Sequence, residues 1–204
     1  LATEHREVEG DATLASPPTL CRLENRITKA SLVRIANALV DQFLAAHTTP
    51  PEEVVLDFDA TDDPVHGHQE HRFFHGYYDS YCFLPLDVFA GDHLLCAYLR
   101  PSKIDVAKHS RAILKWLVRR LREVWPNVRI VVRADSGFCR WRMLRWCDRH
   151  DVKSIVGLAR NSRLEEQLAP AQQQAKDAFL ADRQAHRVFA EFAYQAESWD
   201  RVRR

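Results

Sequence analysis

The sequence predicts an α/β protein whose central sheet is mixed. Two observations carry this prediction. The predicted elements follow the order β-β-β-α-β-α-β, and two apolar strands, at 53–60 and 128–134, each end in aspartate. An order that is neither strict alternation nor all strand fits an antiparallel hairpin joined through a crossover helix to parallel strands. The 204 residues suit one domain with an insertion, or two small domains.

The first half of the chain predicts an arm, a helix and three strands. Residues 1–27 are polar and broken by prolines, which indicates an irregular arm. A helix is predicted over 28–47, because the Thr28 hydroxyl can accept an orphan backbone N–H and apolar residues recur along one face. The strand at 53–60 follows, and a His-rich connection covers 65–75. Two further strands form a predicted hairpin, at 77–89 and 93–99.

The second half predicts the crossover and a change of character near residue 160. A helix over 103–124 leads to the strand at 128–134, whose continuous apolar centre is typical of a strand buried on both faces. A short helix and a fifth strand follow, at 140–150 and 153–158. Beyond them we expect a polar helix interrupted at Pro170 and a strand over 187–195. The sequence thus divides into an N-terminal arm and helix (1–50), a region of strands and helices (51–160) and a C-terminal segment of different character (161–204).

Composition narrows the class of protein. With 46% hydrophobic residues the chain can fill a core, and no stretch approaches the length of a membrane span. The N-terminus lacks the pattern of a secretory signal. Five cysteines without C-x-x-C spacing indicate free thiols in a reducing cytoplasm. The formal net charge is only +1, but eleven Lys and Arg against three acids lie between Arg111 and Arg149. Such a basic region can contact phosphates, although a solvated surface is equally compatible with charge alone.

The two strand ends supply the candidate catalytic residues, Asp59 and Asp135. If the strands are adjacent and parallel, both carboxylates emerge at the same edge of the sheet and repel each other. A hard divalent cation offsets that repulsion, because Mg²⁺ and Mn²⁺ prefer carboxylate oxygens. Strand alternation places Asp57 on the same face as Asp59, so Asp57 is a candidate supporting ligand. The alternative for either stretch alone is a turn-forming strand end.

Other polar and aromatic residues give weaker signals. Arg133 and Arg140 flank the second acid and are the better candidates for contacting nucleic-acid phosphates. A stripe of four cations on one face of a predicted helix is equally well explained as solvated: Arg111, Lys115, Arg119 and Arg122. The spacing of His66, His68, His71 and His75 matches no usual zinc pattern, so we expect a polar loop. Core or rim packing is the favoured role of four tryptophans, with base stacking as the alternative: Trp116, Trp125, Trp141 and Trp146.

Several blocks of the sequence together resemble a known family. The blocks are LDFDATDDPVHG at 56–67, GYYDSY at 76–81, LRP at 99–101 and RADSGF at 133–138, with LCRLEN at 20–25 and GLARN at 157–161. They are similar to bacterial DDE transposases, and the closest match is the group named after insertion sequence 1380. The resemblance spans nearly the whole chain.

The resemblance implies a fold, an activity and a domain assignment. Residues 51–160 would be a partial catalytic core, and residues 161–204 the start of a truncated, β-rich insertion. Such transposases have a ribonuclease H-like core and cut and join DNA with two metal ions and three acids, so Asp59 and Asp135 would be the first two acids. Mg²⁺ or Mn²⁺ would be the cofactor. Transposon ends and target DNA would be the partners, with homodimeric assembly of the complete protein and a bacterial, nucleoid-associated location. The third acid has no match here: Glu191 and Glu197 are not assigned, and we expect it outside this chain.

Two alternatives remain open at this point. The chain could be a catalytically dead remnant that binds DNA or dimerises, since the third acid has no match and the basic region survives. It could also be a metal-dependent nuclease that uses a different third acid, such as Asp57. Both alternatives keep the predicted fold and differ from the first in chemistry.

Overall fold

The computed structural model describes residues 15–204 and divides the chain into two units, Leu1–Ala38 and Leu39–Arg204. The fourteen N-terminal residues, which belong to the predicted arm, lie outside the described part. The helices are α1 (Pro17–Glu24), α2 (Lys29–Ala45), α3 (Ser110–Val124), α4 (Trp141–Arg149) and α5 (Ser162–Asp182). The strands are β1 (Glu53–Ala60), β2 (Asp63–Pro64), β3 (Phe73–His75), β4 (Ser80–Phe83), β5 (Leu86–Ala90), β6 (His93–Tyr98), β7 (Arg129–Ala134) and β8 (Val152–Val156).

The main sheet has five strands in the order β6-β5-β1-β7-β8. Strand β1 pairs in parallel with β7, and β7 pairs in parallel with β8. On the other side β1 pairs antiparallel with β5, and β5 with β6. The predicted mixed sheet, with an antiparallel hairpin at one edge and parallel strands at the other, is therefore confirmed. A second, three-stranded sheet has the order β2-β4-β3.

One face of the main sheet carries the hydrophobic core. Leu56, Val88 and Val132 are fully buried and belong to one cluster with Leu114 and Leu117 of α3. Full burial of one such side chain stabilises the fold by about 1.5–3 kcal/mol. The opposite face is more open, since Ile155 of β8 is 64% exposed. The polar residues of β1 and β7 lie on this open face.

The predictions for the N-terminal arm and for the start of the crossover helix were wrong. Pro17 begins α1 inside the expected irregular arm, because the fixed φ of proline suits the first turn of a helix. The crossover helix begins at Ser110 rather than at 103. Buried Arg100 explains this, since its Nη1 donates to the carbonyls of Val106 (3.0 Å) and Lys108 (2.7 Å) and so occupies acceptors that a longer helix would use.

Three further predictions need correction. The expected strand over 77–89 is two strands, β4 and β5, since Pro85 between them cannot donate to a ladder. Helix α5 continues through Pro170 instead of breaking there; it is largely exposed, so water can satisfy the carbonyl that loses its donor. The strand expected over 187–195 does not form. Only Tyr194 bridges Arg203, and Phe189 is 90% exposed because no sheet lies beside it to bury it.

The cysteines agree with the prediction of free thiols. All five cysteines are free thiols. Burial raises the pKa of Cys96 to about 11 and that of Cys147 to about 12, so these two stay protonated at neutral pH. Among residues 15–204, no helix is long and apolar enough to cross a membrane.

We predict that Arg100→Lys destabilises the protein by about 2–4 kcal/mol. The single ammonium nitrogen of lysine cannot reach all three carbonyls that the guanidinium group binds from two of its nitrogens, and each buried unpaired acceptor costs about 1–3 kcal/mol. The Arg100 side chain is 1% exposed, and its Nε also donates to the Leu84 carbonyl at 2.8 Å. Urea unfolding measures the change. The matched control is Arg111→Lys at an exposed position of α3, and equal losses in the two variants would contradict the prediction.

Candidate active site

The two predicted acids lie at the same edge of adjacent parallel strands. The register of β1 and β7 runs from Glu53 opposite Arg129 to Phe58 opposite Ala134, and Asp59 and Asp135 are the residues that follow. Paired residues on neighbouring strands point to the same face. Phe58 is buried in the core, so Asp59 faces the open side, where both carboxylates are exposed.

Asp135 is held by the turn that follows β7. Its backbone is extended (φ −74°, ψ −177°), and its Oδ1 accepts a hydrogen bond of 2.8 Å from the Gly137 amide at the start of a 3-10 turn over Ser136–Phe138. Phe138 is fully buried and its ring lies edge-on to that of Phe58, with 6.2 Å between centroids. The turn is therefore anchored in the core while the aspartate remains in solvent.

Gly157, just after β8, packs directly against this turn. A Cβ at position 157 would lie 2.9 Å from the Ser136 amide nitrogen and 3.3 Å from the Asp135 carbonyl carbon. The Gly157 amide also donates to the Ala134 carbonyl at 3.0 Å. The absence of a side chain at position 157 thus allows the acid-bearing turn to sit against β8.

A third carboxylate, which the sequence analysis did not assign, lies opposite the first. Asp87 of β5 is paired directly with Asp59 in the antiparallel register. Burial and the charge of Asp59 raise the pKa of Asp87, and Arg100 lowers it in part. No local pattern marks Asp87, because its position depends on the register between two strands.

Asp57 has a partner of its own on the same face. It lies opposite Arg133 in the parallel register, and the Arg133 guanidinium donates to both of its carboxylate oxygens, from Nε and, at 2.7 Å, from Nη2. The hydrogen bond and the charge of Asp57 raise the pKa of Arg133. Asp57 and Arg133 therefore form an ion pair one alternation step before Asp59.

Tyr78 is close to the acids and was not singled out by sequence. Its hydroxyl donates to the Ala60 carbonyl at 3.5 Å. Burial raises the pKa of Tyr78, and the negative charges of Asp62, Asp59 and Asp135 raise it further. The hydroxyl consequently stays neutral beside the two acids and can act as a donor there.

The other candidate DNA-binding residues all lie at the surface. Three of them have side-chain contacts with other groups of the protein. Arg140 pairs with Asp105 at 2.8 Å, and Arg119 lies 3.6 Å from Glu123. Arg122 donates to the carbonyls of His150 and Asp151, which ties α3 to the turn before β8. Lys115 is exposed.

The histidines of the 65–75 connection and the tryptophans lie in different environments. Across residues 15–204, no group of three or more His, Cys, Asp or Glu side chains is arranged to hold a metal ion, and His66, His68 and His71 are exposed. Trp125 is buried in the core, and Trp116 and Trp146 pack against it. Trp141 is half-buried at the start of α4.

The strand order and directions define a ribonuclease H-like α/β core, and two aspartates lie at one edge of it. The family model described as Transposase DDE domain group 1 matches residues 1–204, so the chain belongs to this family of transposase domains. The expected DDE family and the ribonuclease H-like fold are thereby confirmed.

Solved structures give distant likenesses, and no curated protein gives a significant sequence match. The catalytic core domain of the HTLV-2 integrase is 11% identical, with 67% of this chain and 77% of that chain covered and a TM-score of 0.33. The piggyBac transposase in a synaptic complex with hairpin DNA is 11% identical, with 76% of this chain and 33% of that chain covered and a TM-score of 0.44. The catalytic domain of the Mos1 mariner transposase is 11% identical, with 82% of this chain and 78% of that chain covered and a TM-score of 0.36.

We predict that Asp87→Asn stabilises the metal-free protein at pH 7. Because the pKa of Asp87 is raised in the folded state, its favourable contribution is present below the unfolded pKa and is lost as pH rises through the folded value. The stability that the variant gains over the parent protein should therefore shrink as pH falls towards about 4. Thermal unfolding in a chelating buffer at several pH values measures it. Asp92→Asn at the exposed hairpin turn is the charge-matched control, and a pH-independent gain in Asp87→Asn would count against this explanation.

We also predict that Gly157→Ala displaces the turn that carries Asp135. The added methyl group would meet backbone at 2.9 Å, so the turn must shift, at a cost of about 1–3 kcal/mol. The readouts are urea unfolding and the amide chemical shifts of Asp135 and Ser136. Gly76→Ala is the control, since a Cβ there has nothing within 4 Å. Unchanged shifts at Asp135 and Ser136 in Gly157→Ala would refute the prediction.

Proposed function

We propose that this domain is part of the catalytic core of a bacterial insertion-sequence transposase of the group named after insertion sequence 1380. In the complete protein this core would cleave and join DNA with Mg²⁺ or Mn²⁺ held at Asp59 and Asp135, together with a third acid that we expect outside this chain. One observation carries the chemical part of the proposal. The two carboxylates follow the last in-register pair of adjacent parallel strands and are exposed on one face. The sequence blocks around both acids support the narrower family assignment.

The residues at this edge fit a hard divalent cation. Asp135 uses one oxygen for the Gly137 amide, and Asp59 has no hydrogen bond or ion pair among the described residues, so carboxylate oxygens remain for a cation. The like charge of Asp87 opposite Asp59 adds repulsion that a cation would relieve. Two divalent ions bound there would activate an attacking oxygen and stabilise a leaving oxygen in phosphodiester chemistry.

The surrounding residues orient these acids. The Gly137 amide fixes the rotation of the Asp135 carboxylate, and the neutral Tyr78 hydroxyl can donate a hydrogen bond beside the pair. Asp57 is a positioning residue in this proposal rather than a metal ligand, because Arg133 occupies both of its oxygens. The arrangement thus favours Asp59 over Asp57 as the first acid.

A second function, that of a catalytically inactive DNA-binding remnant, is favoured by a specific observation. The described residues contain no group of three acids arranged for a metal ion. Glu191 is paired with Arg204, and we assign neither it nor Glu197 as the third acid. Both functions imply transposon ends and target DNA as partners, and by resemblance a homodimer of the complete protein in a bacterial cytoplasm.

Asp59→Asn and Asp135→Asn should each weaken Mn²⁺ binding by at least about 100-fold, the upper end of the loss seen when only an outer partner of a metal site is removed. Isothermal titration with Mn²⁺ alone measures the affinity. The control is Asp177→Asn, which removes an exposed acid of α5 and should bind Mn²⁺ like the parent protein. If both site variants retained the parent affinity, the proposed metal site would be refuted.

A plasmid assay separates the two functions. Mn²⁺-dependent nicking of supercoiled DNA that is lost in Asp59→Asn supports the transposase core. Salt-dependent DNA binding by a protein that neither binds Mn²⁺ nor nicks DNA supports the inactive remnant instead.

A further inference from the structure

A groove between α3 and α4 runs away from the acid-bearing turn. Two adjoining cavities of about 460 Å³ and 270 Å³ form it, and both are lined by Arg111, Trp141 and Arg142. We call it the α3–α4 groove. The larger cavity extends to Asp105 and Lys108, and the smaller one extends along α4 to Arg149 and His150.

The lining of the groove is strongly cationic. Six Lys and Arg side chains line the two cavities, and the single acid among them, Asp105, is paired with Arg140. Lys108, Arg111 and Arg149 make no ion pair or side-chain hydrogen bond within residues 15–204. Uncompensated cations that converge in a concavity repel one another, and an anion placed there relieves that repulsion.

The groove starts beside the acid pair. Arg140, which lines its larger cavity, comes directly after the turn of Asp135. Its Asp105 partner is next to Val106, whose Cγ1 would lie 2.8 Å from a Cβ placed on Gly137. A DNA strand leaving Asp135 would therefore pass around the end of β7 and enter the groove at the start of α4.

The dimensions fit a nucleic-acid backbone. Helix α4 has nine residues and so is about 13 Å long. One strand of duplex DNA presents a phosphate about every 3.4 Å along the axis, so about four phosphates span that length. The groove also contains four cations without a carboxylate partner. Lys108 and Arg111 lie at the start of α3, and Arg142 and Arg149 lie on α4.

The aromatic residues of the groove favour recognition of phosphates rather than bases. Trp146 is already stacked on His150, with centroids 4.2 Å apart and planes 18° apart. Trp141 is contacted by the guanidinium groups of Arg142 and Arg145, at 5.4 Å and 5.8 Å. These rings have partners within the protein, and the guanidinium groups lie at the surface.

We propose that the α3–α4 groove binds the phosphate backbone of duplex DNA and leads it to Asp59 and Asp135, independently of base sequence. This inference rests on the proposed function, since it takes DNA as the substrate of the acid pair. It moves the DNA contact away from Arg119, Arg122 and Arg133, whose guanidinium groups have partners within the protein. The contact falls instead on the groove cations that have no carboxylate partner among residues 15–204.

The test removes two groove cations and compares an equal loss of charge elsewhere. Arg111→Gln/Arg149→Gln is set against Lys176→Gln/Arg187→Gln, whose cations are exposed and also lack an ion pair in the described part of the chain. The probe is a fluorescein-labelled 30-base-pair duplex without any transposon end, titrated at several salt concentrations in metal-free buffer. Each lost phosphate contact lowers the salt slope by about 0.9, so the groove variant should lose roughly 2 units of slope and 10- to 100-fold in affinity at 0.1 M salt.

The outcomes separate this inference from the proposed function. Binding by the groove variant equal to that of the Lys176→Gln/Arg187→Gln control would overturn the groove, as would a loss confined to single-stranded DNA of the same length. The groove variant should keep its urea midpoint and its Mn²⁺ affinity, because its two positions are exposed and away from the acids. Groove-dependent DNA binding by a parent protein that fails to bind Mn²⁺ would refute the metal site and leave the groove standing.

Discussion

The parallel pairing of β1 with β7 is the constraint on which the rest of this structure depends. Its register, from Glu53 opposite Arg129 to Phe58 opposite Ala134, brings two distant segments together with the same residues facing the core. The same register places Asp59 beside Asp135 and Asp57 beside Arg133. A slip by one residue would turn every side chain of one strand to the other face. The register that buries the core is therefore also the register that brings the two acids together.

The electrostatics of the open face divide its acids into two kinds. Asp57 is neutralised by Arg133, which stabilises the middle of the sheet. Among residues 15–204, Asp59 and Asp135 have no such cation, and Asp87 adds a third negative charge opposite Asp59. Like charges held close together at a sheet edge repel one another and lower the stability of the folded state. Residues beyond the pair, such as Gly137 and the side-chain-free Gly157, hold this edge in place through the backbone.

The basic region seen in the sequence also divides into two kinds of residue. Arg122 and Arg133 serve the fold, since the first binds backbone carbonyls and the second binds a carboxylate. Arg111 and Arg149 make no such contact among residues 15–204, and they line a groove that begins at the acid-bearing turn. Charge count alone could not separate the two kinds, because the partners of Arg122 and Arg133 are respectively about 28 and 76 residues away in sequence.

The sequence alone determined the mixed sheet, the strands at 53–60 and 128–134, the family, and Asp59 and Asp135 as candidates, because strand periodicity and strand-end residues are local properties. Only the tertiary structure decided which side chains meet. Asp87 faces Asp59 through the antiparallel register of β1 with β5, two strands that are not consecutive in the chain. The carbonyls bound by Arg100 decided where α3 begins. These outcomes depend on contacts between segments far apart in the chain, which no local pattern specifies.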